Sequence, residues 1–112
     1  MTSALDIVTR AYRKTGISGM GEALDAEQAT EGMAALNAMM HGWKLRGVDI
    51  HHRNLEADDP FTLSPEFEEG AVYMLAQRIA PDYMVPTMFD ADDWFRGFQA
   101  AYLKIETVEI PR

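Results

Sequence analysis

No cysteine occurs in the sequence, and this absence removes disulfides and thiolate metal sites together, so the fold must be held by packing or by partner subunits. Long apolar runs are missing as well. None approaches the ~20 residues a membrane span requires, and the opening MTSALDIVTRAYRK lacks the basic-then-apolar order of a secretory signal. The expectation is a protein made in a cytoplasm, with no membrane partner. Basic residues are scarce where nucleic acid would need them: residues 1–55 balance six acids against six bases, whereas residues 56–112 hold twelve acids against Arg78, Arg96, Lys104 and Arg112. The net charge of −8 therefore resides in the second half. Without a basic cluster to displace counterions, no sequence-specific grip on nucleic acid is expected. A repulsive wall past which a duplex slides is compatible with this charge, and so is plain solubility.

Recognisable catalytic patterns are also lacking. There is no Gly-rich phosphate loop, nucleophile elbow or H-E-x-x-H spacing. Three histidines are available, His41, His51 and His52, but neighbours on an extended chain point to opposite faces, so His51 and His52 do not readily share an ion. The acid pairs Asp58 with Asp59, Glu68 with Glu69, and Asp92 with Asp93 each have a simpler explanation, at a loop tip or in the first turn of a helix. No catalytic residue, cofactor or metal site is assigned, and the protein is expected not to be an enzyme.

What is present is globular usage: nearly half the residues are apolar and a quarter are charged, enough for one domain over residues 1–112. Leu5, Val8, Tyr12 and Thr15 recur at helical spacing behind the capping types Thr2 and Ser3, predicting a helix over about 3–15 that Gly16 stops. Asp25 with Gln28 resembles a capping box. Behind it Ala29, Met33, Leu36, Met40 and Trp43 predict a long helix over 25–46, ended by Gly47. A side strip of Gly32, Ala35, Met39 and Gly42 would let another helix approach closely. The helical period lapses over 48–63, where Val48, Ile50 and His52, then Phe61 and Leu63, alternate as in a short hairpin or extended arm. Ser64 and Pro65 start a third helix, 65–80, that Pro81 ends. Asp90 caps a fourth over 90–105, with Trp94, Phe98, Ala101 and Ile105 on its inner face, and 106–112 is left as a tail. The fold class is mainly α, a compact bundle of about four helices with an arm between the second and third.

Eight methionines are many for 112 residues, and flexible thioethers serve either an irregular core or an adaptable interface. Four short helices are not expected to hide both Phe95 and Phe98 along with Met39 and Met40, so part of this surface is expected to meet another chain.

Three stretches in order carry a resemblance: IVTRAYRKTGI at 7–17, ALNAMMHGWKLRGVDI at 35–50 and LAQRIAPDY at 75–83. Arg13 with Gly16, then Leu36, Met39, Met40 and Trp43 with Gly47, then Ala80, Pro81 and Tyr83, resemble the tail accessory factor or head-to-tail connector subunits of short-tailed and related bacteriophages. The resemblance spans about three quarters of the chain. It implies a virion protein forming a homo-oligomeric ring, typically of twelve copies. Such a ring sits under the portal protein, extends the DNA channel and offers a docking surface to the tail or to a nozzle or stopper protein. Some relatives carry a long C-terminal extension that engages the portal; here ETVEIPR is the only tail left for that contact. The expected contact positions are Met39 and Trp43, the arm with His51, His52, Arg53 and Phe61, and the tail with Ile105, Val108, Ile110 and Arg112. The alternative is a small acidic phage or bacterial regulator that occupies a basic surface on another protein.

Overall fold

The computed structural model describes the backbone of residues 2–17, 21–86 and 90–109, with side chains as far as residue 101. Four α-helices follow in order: α1 Ala4–Thr15, α2 Ala26–Gly42, α3 Glu68–Ile79 and α4 Ala91–Glu109. Among the described residues there is no β-strand, only an isolated antiparallel bridge between Ser3 and Pro60. No described helix is long and apolar enough to cross a membrane.

Each helix begins and ends where its local chemistry demands. Ser3 Oγ accepts the N–H of Asp6, and Asp6 returns the favour to the N–H of Ser3, at 3.1 and 3.0 Å. This reciprocal box satisfies two donors that a bare helix start would leave open. Asp25 and Gln28 do the same for α2, at 2.7 and 3.3 Å. Gly16 takes φ 79° behind α1, a conformation that costs a glycine nothing and most other residues a steric penalty. After α2 the chain tightens into a 3-10 turn, Trp43–Arg46, which Gly47 closes at φ 90°. A second 3-10 turn, Pro65–Phe67, leads into α3, and a third, Ala80–Tyr83, leaves it. Asp90 Oδ1 accepts the N–H of Asp92, while Gln77 of α3 accepts the N–H of Ala91 at 3.0 Å, so α4 starts anchored to its neighbour.

The core is continuous. Ile7, Val8, Ala11 and Tyr12 of α1 meet Leu36, Met39 and Met40 of α2 and Ala71, Val72, Leu75 and Ile79 of α3. Gly32 makes the α1–α2 contact possible, because a Cβ there would lie 2.3 Å from Val8 Cγ1. Gly70 does likewise between α3 and α4: a Cβ would come within 2.9 Å of the Phe98 ring. With α4 drawn in, Phe98 packs edge-on to Trp43 at 5.2 Å and to Phe67 at 4.8 Å, and Phe95 lies beside Trp43 at 6.3 Å. Phe95, Phe98, Met39 and Met40 are consequently all buried. The expectation that four short helices leave some of them exposed is thus corrected, and the close approach allowed by Gly70 is the reason.

Residues 48–63 form no hairpin. They run as an irregular strap that folds back on the body and buries Val48, Leu55 and Phe61. The N–H groups of Ala4 and Leu5 donate to the carbonyls of Asp59 and Ala57, and the N–H of Phe61 donates to that of Thr2, at 2.8 to 3.0 Å. The far end of the strap is held by Asn37 of α2. Its Nδ2 donates to the Leu55 carbonyl at 3.0 Å, and its Oδ1 accepts the Leu55 N–H at 2.8 Å. One side chain thus replaces a strand partner. The helix α4 also continues through residues 106–109, which the sequence left as tail.

Candidate assembly surface

Of the expected contact positions, Met39, Trp43 and Phe61 belong to the protein's own core, 4, 3 and 7% exposed. That assignment is corrected: the stripe that looked like a partner surface faces α1, α3, α4 and the strap. His51 and Arg53 are exposed. His51 adopts φ 53°, and its N–H donates to Asp49 Oδ1 at 2.9 Å, which holds the Asp49 carboxyl below its ordinary pKa. His52 turns inward. Its Nε2 donates to Asn37 Oδ1 at 2.9 Å, and its ring stands edge-on to His41 at 4.6 Å. Burial first, and the neighbouring His41 second, hold its pKa below the usual histidine value. Ile105 and Val108 fall on the backbone of α4 and their side chains lie outside the described residues, as do Ile110 and Arg112 altogether.

The true surface features are ones the periodicity did not single out. Leu45 and Met84 are each 92% exposed. Met84 follows the 3-10 turn Ala80–Tyr83 in the left-handed conformation, φ 57°. Its N–H donates to the Pro81 carbonyl at 3.1 Å, and the Val85 N–H to that of Ala80 at 3.0 Å, so the side chain is held out by a closed turn. Beside it a groove of about 610 Å³ is walled by Asp25, Glu27, Glu31, Asp82 and Tyr83. Tyr83 stands edge-on to Tyr12 at 5.7 Å, with the two hydroxyls 3.3 Å apart. Burial, then that hydrogen bond, raise the Tyr12 pKa well above its ordinary value. A second cleft, of about 280 Å³, opens between α2, α3 and the start of α4. Its floor is Met39, Trp43, Met74 and Phe95, and its rim carries Arg46, Arg78 and Asp92. Arg46 lies over the Phe95 ring at 3.9 Å, a cation–π placement that fixes the guanidinium at the cleft mouth.

One member of each acid pair is occupied structurally. Glu68 accepts from Thr2 at 3.0 Å and pairs with Arg10 at 3.5 Å. Asp59 Oδ2 accepts the Glu56 N–H at 2.7 Å, and Asp93 pairs with Arg96. Among the described residues no group of three or more His, Asp or Glu side chains is placed to hold a metal ion.

A family model described as P22 tail accessory factor matches residues 1–92, which takes in α1, α2, the strap, α3 and the first residues of α4. The chain belongs to the P22 tail accessory factor family. No curated protein matches it. Membership makes it a bacteriophage tail accessory factor with a structural role in the tail, associated with the virion. The three stretches that carried the resemblance can now be seen in place. Gly16 and Gly47 are left-handed helix stops, Leu36, Met39, Met40 and Trp43 are core, and Tyr83 packs on Tyr12. In this tail accessory factor those positions build the body.

Proposed function

We propose that this tail accessory factor is a head-to-tail connector subunit. Copies of it, twelve by the family resemblance, form a ring below the portal protein, extend the DNA channel and give the tail or a nozzle or stopper protein its seat. The match to the tail accessory factor family over residues 1–92 is the observation that carries this reading. Two further features support it. The helical body leaves two unlike exposed patches, an acid-flanked methionine and an arginine-rimmed apolar cleft, and unlike patches are what head-to-tail ring contacts require. The net charge of −8 suits a wall that DNA passes without adhering. The subunit works by assembly, with no cofactor and no catalytic step.

Light scattering behind size exclusion, with the protein alone and then mixed with portal rings from the same genome, tests this directly. The expected result is a portal peak heavier by about one ring of added subunits. An unchanged portal peak beside a stable monomer or dimer overturns the proposal and redirects attention to a basic protein partner for the acidic half.

A further inference from the structure

The middle of the strap is clamped to α2 by two histidines and two asparagines. His52 Nε2 donates to Asn37 Oδ1 at 2.9 Å, and His41 Nε2 reaches the other way, from helix to strap, donating to Asn54 Oδ1 at 2.7 Å. Leu55 hangs on the same Asn37 amide through its N–H and its carbonyl. The segment 49–56 is anchored separately at each end, where the Val48 N–H donates to the Trp43 carbonyl and the Leu5 N–H to that of Ala57. Between those anchors Leu55 is the one buried residue, with Asp49, Ile50 and His52 half-buried. Polar contacts, more than apolar burial, therefore hold this stretch down. The clamp has no place for an added proton. Its two imidazoles stand edge-on with centroids 4.6 Å apart, so charge on one ring lies against the other. His52 Nδ1 is buried without a hydrogen-bond partner among the described residues, and a charged N–H there would be a buried donor that nothing receives. The titratable groups that share the adjoining cleft of about 160 Å³ give no relief. Lys44, from the turn after α2, is a cation, and Arg53, next in the chain, is another. Asp49 already accepts the His51 N–H at 2.9 Å and lies 4.0 Å from Lys44. His51 stands 3.7 Å from that carboxylate with its backbone at φ 53°, a conformation that opening the strap would relieve.

We propose that residues 49–56 form a proton-released latch: a proton taken up at His52 ends its place in the clamp and lifts this part of the strap from α2, while the helices and the strap's contact with α1 stay formed. The proton comes from solvent and rests on Nδ1, where water receives it once the ring is free. Opening costs the burial of Leu55 and the Asn37 and His41 hydrogen bonds, whereas Ile7, Val8, Leu36 and Leu75 keep their places in the core. The sign follows from the two forms of His52. In the closed form burial and His41 hold its pKa below 6.5; in the open form it returns to that value. Below pH 6.5 the open form is thus favoured, by up to about tenfold for each pH unit, until the closed form also takes the proton.

Amide exchange on the full chain, followed residue by residue by NMR, tests the latch, because the Leu55 N–H is exposed to solvent only when the clamp opens. After correction for the intrinsic pH dependence of exchange, its protection is expected to fall by up to about tenfold between about pH 6.5 and pH 5.5. At both values it should stay below the protection of Leu75 in the core of α3, which marks opening of the strap by itself. His52→Gln, which keeps an N–H for Asn37, should remove the pH dependence. His41→Gln, at an exposed position, keeps a donor for Asn54 and removes the neighbouring imidazole, and it should give a smaller fall than the native chain. Circular dichroism first verifies that each variant keeps its helices. Protection of Leu55 that is indifferent to pH overturns the latch, as does protection equal to that of Leu75 throughout, since the strap would then open only with the whole chain. A fall as large as the native one in both variants removes His52 from the mechanism and overturns it as well.

Discussion

The imidazole of His52 donates through Nε2 to Asn37 Oδ1, which fixes the tautomer and leaves Nδ1 as a bare acceptor. That atom is buried with no hydrogen-bond partner among the described residues. Protonation would put a donor with nothing to receive it beside His41, so the neutral ring is favoured and the folded-state pKa lies below 6.5. The sign follows from linkage. Above 6.5 the ring is neutral folded and unfolded alike, and its arrangement contributes fully. As pH falls below that value the unfolded chain takes up the proton first, and stability is lost towards the lower folded-state pKa. Urea unfolding is expected to give a lower stability at about pH 5.5 than at about pH 7.5, and His52→Gln, which keeps an N–H donor, should flatten that slope. An equal slope in the variant would assign the effect elsewhere. The sequence did indicate that His51 and His52 face opposite ways, and the side chain of His51 is indeed 88% exposed. It gave no sign of Asn37, fifteen residues away, because a side chain standing in for a strand partner leaves no periodic trace.

At the level of elements, helix starts were the most legible feature because they are chemically local. The box at Asp25 and Gln28 is written within four residues and closes as such. Helix ends were less so. The sequence ended α4 at about residue 105, whereas the backbone remains helical to Glu109. Thr107 and Val108 have only a weak preference against helix, and no strong breaker occurs before Pro111, which restricts chiefly the residue preceding it. The strap was the hardest element to anticipate, since alternation of apolar residues does not distinguish a projecting arm from one folded back. Its attachment to Asn37 can be measured. Asn37→Ala strands the N–H and carbonyl of Leu55, and at ~1–3 kcal/mol for each buried group left unsatisfied, about 2–6 kcal/mol of stability should go. Amide exchange should speed up across residues 52–57 while α1 and α3 stay protected. Uniform acceleration through the whole chain would instead mean that the strap does not open as a separate unit.

Across the whole molecule, the fold class was readable from hydrophobic periodicity, but the surface was not. Periodicity marks what is buried and is silent about by what. Met39 and Trp43 were assigned to a neighbour and found in the chain's own core, while Met84, in a stretch with two prolines and no helical period, stands in solvent. The aromatic box around Phe98 shows why: a hydrogen atom in place of a methyl at Gly70 decides whether α4 approaches closely enough to cover it. With that box closed, the core is satisfied within one chain. Thermal unfolding of the free protein is accordingly expected as one cooperative transition whose midpoint does not move with protein concentration. A midpoint that climbs on concentrating the sample would show that neighbours complete the fold. Self-sufficiency of this kind also governs timing. A subunit that needs no neighbour in order to fold is ready as soon as it is synthesised, and a pool of such subunits can accumulate without premature growth. On the proposed connector reading, the moment of ring building is then set by when a seat becomes available, not by how fast the chain folds.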